Sequence, residues 1–280
     1  MENIRLVALD LDGTLLNSDK QITDESRKVL YRAAEQGIEI VPCTGRFFGG
    51  MPESVRKLPF LHYAITVNGA SVYDVRQEKE LYSSCIPWEK AVEVIEFIET
   101  LDCPLVYDAY IENWGWMPRV MQENVDPFGP DPHYLKMLKT FRTPVENLKD
   151  FISENKKDVQ KLQIYMLPSE VEAHKAEFMK AIADKFEWLA VTSSVINNIE
   201  MNFRDANKGD ALMALAAHLG ISREQVAAFG DGSNDLTMIK AAGFGVAMEN
   251  GVPELHEIAE FVTRTNDEEG IAFGFRKFLK

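Results

Sequence analysis

Ile4-Arg5-Leu6-Val7-Ala8-Leu9-Asp10-Leu11-Asp12-Gly13-Thr14-Leu15-Leu16 decides how the rest of the chain is read. The apolar run 4–9 predicts a strand, and two carboxylates follow where it ends. A strand has a period of two, so Asp10 and Asp12 leave on the same side. Like charges that close repel, and an apolar neighbourhood raises the cost further. A divalent cation would offset it. So would a reaction that needs one carboxylate ionised and the other protonated.

Outward from this stretch, strands and helices alternate. Thr23-Asp24-Glu25 predicts a helix start, with a capping hydroxyl and acids at the positive end of the dipole. Gly37 is its stop signal. A strand over 38–41 runs into Pro42-Cys43-Thr44-Gly45-Arg46, followed by a helix over 52–57 and a strand over 64–67. Asn68-Gly69 reads as a tight turn into Ser71-Val72-Tyr73, in preference to a substrate contact. After about residue 195 the alternation returns. Helices are predicted over 207–219, 236–241, 253–258 and 270–279, and strands over 226–229, 245–247 and 261–263. Such alternation predicts an α/β fold with a Rossmann-like, doubly wound parallel sheet.

The middle of the chain differs. Helices are predicted over 88–100, 147–154 and 169–185, and strands over 105–110, 159–166 and 188–192. Residues 111–144 are rich in aromatics and prolines and carry little periodicity; they include Trp114, Trp116, Pro127, Phe128, Pro130, Pro132 and Tyr134. Trp114, Trp116 and Arg119 read as packing ahead of a substrate-facing surface. The organisation expected is a catalytic core from residues 1–83 plus 190–280, with an α+β cap inserted over 84–189.

Four short segments lie just past a core strand or open a core helix: Asp10–Thr14, Thr44-Gly45-Arg46, Asn207-Lys208-Gly209 and Gly230-Asp231-Gly232-Ser233-Asn234-Asp235. In open α/β sheets that edge is where ligands bind. The first and last segments bring carboxylates, the second a hydroxyl and amides beside glycine, and the third a lysine. Lys208 is electrostatically out of place at a helix start, because cations favour the other end. Gly13 would let the backbone approach a phosphate closely. The histidines are scattered and suggest no ligand pair. Gly243-Phe244-Gly245-Val246-Ala247-Met248 lacks the third glycine of a dinucleotide loop and follows a helix, and no G-x-x-x-x-G-K-[ST] loop exists.

These segments, at this spacing, resemble the haloacid dehalogenase-like superfamily of aspartate-nucleophile phosphatases. Within it the chain is most similar to the Cof-type sugar-phosphatase group, with its large α+β (type IIB) cap between the second and third motifs. The resemblance implies that Asp10 is the nucleophile and that Asp12 is the general acid and then the base. It implies Mg²⁺ held by Asp10, the Asp12 carbonyl and Asp231. It implies phosphate and substrate binding by Leu11, Thr44, Gly45, Arg46, Lys208 and Asn234, with Asp235 in support. The chemistry agrees. Mg²⁺ takes oxygen ligands, phosphoryl transfer needs mainly positioning and charge stabilisation, and a carboxylate nucleophile divides hydrolysis into two easier displacements. An alcohol leaving group needs the proton that Asp12 can carry. Departures from the group's pattern are small: Glu249 stands where glycine is common, and Ala206-Asn207 where valine-serine is frequent. The activity implied is a Mg²⁺-dependent phosphatase acting on a small phosphorylated metabolite of the sugar phosphate kind. The alternatives are a phosphomutase and, further off, a phospho-aspartate signalling module.

The totals fit. The chain has 280 residues, 46% hydrophobic and 26% charged, enough for one large or two modest domains. Its net charge of -14 disfavours nucleic acid and anionic membranes as partners, and requires any phosphate site to be locally positive. The 3 cysteines, Cys43, Cys85 and Cys103, lack metal or disulfide spacing and fit a reducing compartment. Met1-Glu2-Asn3 leads into a strand without a signal peptide's basic and apolar regions, and no run approaches the roughly 18 apolar residues of a membrane span. A cytoplasmic enzyme with a small-molecule substrate is expected, as a monomer or homodimer.

Overall fold

The computed structural model describes residues 3–129 and 132–279; Met1, Glu2, Pro130, Asp131, Lys280 and the His133 side chain lie outside what is described. The chain forms two compact units, one built from the segments up to Ser83 and from Ala206 onward, the other from Ser84–Asp205.

The first unit begins with β1 (Leu6–Leu9), α1 (Asp24–Glu35), β2 (Glu39–Pro42), α2 (Glu53–Arg56), β3 (Tyr63–Thr66), β4 (Ser71–Asp74) and β5 (Lys79–Ser83). The second unit holds α3 (Trp88–Ile98), β6 (Leu105–Ile111), β7 (Trp114–Pro118), α4 (Arg119–Glu123), α5 (Pro132–Thr140), β8 (Arg142–Val145), α6 (Leu148–Asn155), β9 (Lys161–Met166), α7 (Val171–Lys185), β10 (Leu189–Thr192) and β11 (Asn198–Phe203). The first unit resumes with α8 (Lys208–His218), β12 (Val226–Gly230), α9 (Leu236–Ala241), β13 (Phe244–Ala247), α10 (Pro253–Ile258), β14 (Phe261–Val262) and α11 (Gly270–Phe275).

The first unit's main sheet has five strands in the order β14-β13-β12-β1-β2, every pair parallel. Such a sheet is buried on both faces, which is why β1 reads as an unbroken apolar run. Its period of two still sorts the layers. Val7 and Leu9 pack with Leu30 of α1 and Phe275 of α11, while Leu6 and Ala8 pack with Leu212 of α8 and Ile239 of α9. The order reverses at β1: the chain moves outward to β2, then returns on the other side through β12. A doubly wound sheet offers its ligand crevice at that switch point.

One strand departs from expectation. β3 joins the parallel sheet by an isolated Cys43–Ile65 bridge and pairs antiparallel with β4, which pairs with β5. The turn at Asn68-Gly69 sends the chain straight back, so these strands form a small sheet of their own.

The second unit is a six-stranded sheet in the order β10-β11-β9-β6-β7-β8, antiparallel except for β7 with β8. Along β6, Tyr107, Ala109 and Ile111 join the apolar layer that includes Ile95 of α3, Ile152 of α6 and Ile182 of α7. On the alternate positions Asp108 is buried against Arg142, whose Nε donates to its Oδ2 at 2.5 Å. Lys161 and Glu200 form a second buried pair at 2.6 Å. Residues 190–205, expected in the core, belong to the second unit. The reason is pairing: β10 is zipped to β11, and β11 to β9. The aromatic stretch is likewise more regular than its sequence suggests, forming β7, α4, α5 and β8. Trp116 stacks on Phe151 with centroids 4.4 Å apart, Trp114 donates to Thr143 Oγ1 at 2.8 Å, and Arg119 pairs with Glu146 at 2.7 Å. Among the described residues no helix is long and apolar enough to cross a membrane.

Candidate active site

β1 and β12 run side by side with Leu9 opposite Phe229, so both release their chains at the same sheet edge. Asp10 therefore emerges next to Asp231, its N–H donating to the Phe229 carbonyl at 3.0 Å. Lys208 opens α8, with Asn207 as the cap whose Oδ1 accepts the Asp210 N–H at 2.9 Å. The lysine is fully buried. Its Nζ donates to Asp10 Oδ1 and to Asp235 Oδ1, each at 2.6 Å. A cation at the positive end of a helix is tolerated here because two carboxylates face it.

Asp235 has no oxygen to spare. Its Oδ2 accepts the N–H groups of Asp231 and Gly232, both at 2.9 Å. Asp231 accepts the Thr14 hydroxyl at 2.6 Å. Gly13 sits at φ +87°, and a Cβ there would stand 2.2 Å from Asp231 Oδ2. The close approach that requires this glycine is thus to the Asp231 carboxylate, where the sequence pointed to phosphate.

Burial raises the Asp10 carboxyl, Lys208 lowers it, and the neighbouring Asp235 and Asp231 raise it again, so it is pushed up to about 8. Asp231 is also raised, chiefly by burial. Lys208 is raised by its two carboxylates in spite of burial. Asp10, Asp231 and Asp235 each place a carboxylate oxygen within 4.8 Å of the others. Three acids share one lysine, so the cluster is short of positive charge. That is the donor chemistry of a hard divalent cation. Asp10 and Asp231 have ligand oxygens to offer it, whereas both oxygens of Asp235 are engaged.

Asp12 lies apart from that network. Arg46 clamps it from both sides, Nε to Oδ2 and Nη2 to Oδ1 at 2.8 Å each, and Lys20 reaches Oδ1 at 2.9 Å. Burial alone would raise this carboxyl, but the two cations outweigh it and hold it at about 2. Among protein groups alone, the order of the two acids is therefore the reverse of the expected one. Arg46 spends itself on Asp12, with a further bond to the Gly50 carbonyl at 3.2 Å.

Thr44 is buried; its N–H donates to Ile65 at 2.9 Å and its Oγ1 accepts the Arg46 N–H at 3.2 Å. Its hydroxyl proton has no acceptor among the described residues. Asn234 donates to Asn68 Oδ1 at 3.1 Å. The Leu11 side chain is buried in the core, so only its backbone can face a ligand. Two residues at this edge carried no assigned role in the sequence, Thr14 and Lys20, and Asn68 was read as a turn former. Thr14 stood inside the opening stretch. Lys20 had no signal, since it reaches Asp12 only because the chain doubles back at Asn17, where the Lys20 N–H donates to the Asn17 carbonyl at 2.9 Å. The loop that carries these residues is strapped by the chain's last third. Asn250 donates to the Gly13 carbonyl at 2.8 Å, Asn266 to the Leu16 carbonyl at 2.9 Å, and Ser18 donates to Asp267 through N–H at 2.8 Å and Oγ at 2.6 Å.

Comparison with known proteins agrees with this geometry. The profile of the haloacid dehalogenase-like hydrolases matches residues 7–275. Phosphatase YwpJ of Bacillus subtilis (strain 168) is 30% identical over 298 residues, covering 99% of this chain and 100% of that one. The 5-amino-6-(5-phospho-D-ribitylamino)uracil phosphatase YcsE of the same organism is 28% identical, over 99% of this chain and 96% of that one. A Thermotoga maritima protein of known crystal structure superposes with a TM-score of 0.79 at 26% identity, over 98% of this chain and 97% of that one. The chain is a hydrolase, and it belongs to the haloacid dehalogenase-like family.

Proposed function

We propose that the chain is a Mg²⁺-dependent phosphatase that hydrolyses a small phosphorylated metabolite through an aspartyl-phosphate. The observation that carries this reading is Lys208 buried between Asp10 and Asp235, with Asp231 beside them. Asp10, Asp231 and the Asp12 carbonyl would hold Mg²⁺. When bound, the ion neutralises the carboxylates and charge on the phosphoryl group. Lys208 and the Thr44 hydroxyl hold the phosphoryl oxygens, with the Gly45 amide and Asn234 beside them. Asp10 attacks phosphorus, and the ester P–O bond breaks. Asp12 gives its proton to the departing alkoxide, then takes one from the water that cleaves the aspartyl-phosphate. The phosphoryl dianion competes with Asp12 for Arg46 and Lys20, which frees Asp12 to carry that proton. The second unit would act as the cap that selects the leaving group, and the substrate class is a sugar or polyol phosphate. A relative named for a 5-phospho-D-ribitylamino compound supports that class.

A panel of phosphorylated metabolites, with Asp10→Asn as the blank, tests the reading. Free phosphate should appear in proportion to ester consumed and should vanish with chelator. Ester isomerised without phosphate release would mean a mutase. A stable acyl-phosphate without turnover would mean a signalling module.

A further inference from the structure

The turn between β3 and β4 does more than join two strands. A tight Asn-Gly hairpin needs positive φ at two residues. Here three in succession have it: Val67 at 52°, Asn68 at 58° and Gly69 at 92°. Val67 is β-branched and fully buried, the residue type least suited to that conformation. The surroundings keep it there. The Val67 N–H donates to the Arg46 carbonyl and the Asn68 N–H to the Thr44 carbonyl, both at 3.0 Å. Behind the turn, a Cβ on Gly69 would lie 2.1 Å from the Asn207 carbonyl oxygen. One strained turn thus touches the Thr44–Arg46 loop, the start of the Lys208 helix and, through Asn68, the Asn234 loop.

The Asn68 amide completes the picture. Its Oδ1 accepts the Asn234 amide N–H at 3.1 Å. Its Nδ2 has no acceptor among the described residues. The amide lies against Gly45: a Cβ at Gly45 would stand 2.8 Å from Oδ1 and 3.5 Å from Nδ2. Backbone conformation does not select the amide, because aspartate tolerates a left-handed turn as well as asparagine. An anion bound beside Gly45 would favour a neutral donor there over a carboxylate.

We propose that Asn68 is a further phosphate-binding residue, donating from Nδ2 to a phosphoryl oxygen of the substrate at the Thr44-Gly45 loop. The proposal rests on the phosphatase reading. N68G and N68D both suit the left-handed turn, and N68D also keeps the acceptor for Asn234. The measurements are KM and kcat on a hydrolysed ester, and the inhibition constant of inorganic phosphate with Mg²⁺ present. N68G should weaken phosphate and raise KM about tenfold, the scale of one hydrogen bond to a charged group, with kcat changed less. N68D should be worse than N68G, because it sets a carboxylate against an anion. Both variants within about twofold of the parent would overturn the proposal and leave Asn68 a turn former. N68D binding phosphate as well as or better than N68G would overturn it too. Failure of the phosphatase reading itself is distinct: the parent chain would release no phosphate from any ester.

Discussion

The side chain on which most depends is Lys208. It is fully buried and is the cation that faces both Asp10 and Asp235 at 2.6 Å. Lys208→Met would leave two buried carboxylates facing each other, and breaking a buried pair from one side costs about 3–5 kcal/mol. Denaturant unfolding should show that loss, and on the proposed role of Lys208 at the phosphoryl group kcat should fall about 10²–10³-fold. Gly13→Ala tests a different residue-scale constraint. The added methyl would stand 2.2 Å from Asp231 Oδ2 at a φ that only glycine adopts freely, so activity should collapse with the Asp231 position. Retention of full turnover by G13A would show that the loop re-forms around a side chain. At this scale much was legible. The grouping of Asp10, Lys208, Asp231 and Asp235 was readable because carboxylates and a lysine at strand ends are costly unless they meet, whereas Asp12's pairing with Arg46 was not. Lys20 and Thr14 were not, because their partners are set by how a loop folds back and no local pattern records that.

At the scale of elements, helix starts were well marked. Thr23 caps α1, its Oγ1 accepting the Ser26 N–H at 3.3 Å, and it also donates to Glu269 at 2.6 Å. Thr23→Ala should cost about 1 kcal/mol in denaturant unfolding, more if the stranded Glu269 matters as much as the cap. The β3 excursion and the regular structure over 111–144 were not legible, because strands such as β7 are specified by partners distant in sequence. The second unit also carries a pH signature. Burial raises Glu200, but Lys161 and bonds from Ser194 and Asn198 outweigh it, so the carboxyl lies below the ordinary glutamate range. A depressed acid contributes stability above its unfolded pKa and loses it as pH falls through the folded one. Melting of this unit should therefore weaken on acidification below the ordinary glutamate range. Glu200→Gln should flatten that dependence while lowering stability at neutral pH, because buried Lys161 loses its carboxylate partner. An unchanged acid limb in E200Q would place the dependence elsewhere.

At the scale of the molecule, an acidic chain of net charge -14 gathers several acids around few cations at one sheet edge. Binding a cation there should stabilise the folded state by mass action. Mg²⁺ should raise the melting temperature of the parent chain by a saturable amount, chelator should reverse it, and Asp231→Asn should largely abolish it. A Mg²⁺ response identical in D231N would move the ion to another place. The doubly wound topology was legible because strands and helices alternate along the core segments. The return point near residue 190 was misplaced, because β10 and β11 look like core strands until their antiparallel partner β9 is known.

The pairing of β1 with β12 has a consequence for how the protein is made. Leu6 lies opposite Val226, so the strand that carries Asp10 waits for its central neighbour until most of the chain has been synthesised. At about 5–20 residues per second that wait is on the order of ten seconds or more. Every residue of Ser84–Asp205 leaves the ribosome within it. The strap from Asn250, Asn266 and Asp267 arrives later still. A chain that stops short of residue 208 thus carries Asp10 without the lysine that faces it, without Asp231 and Asp235 beside it, and without the strap.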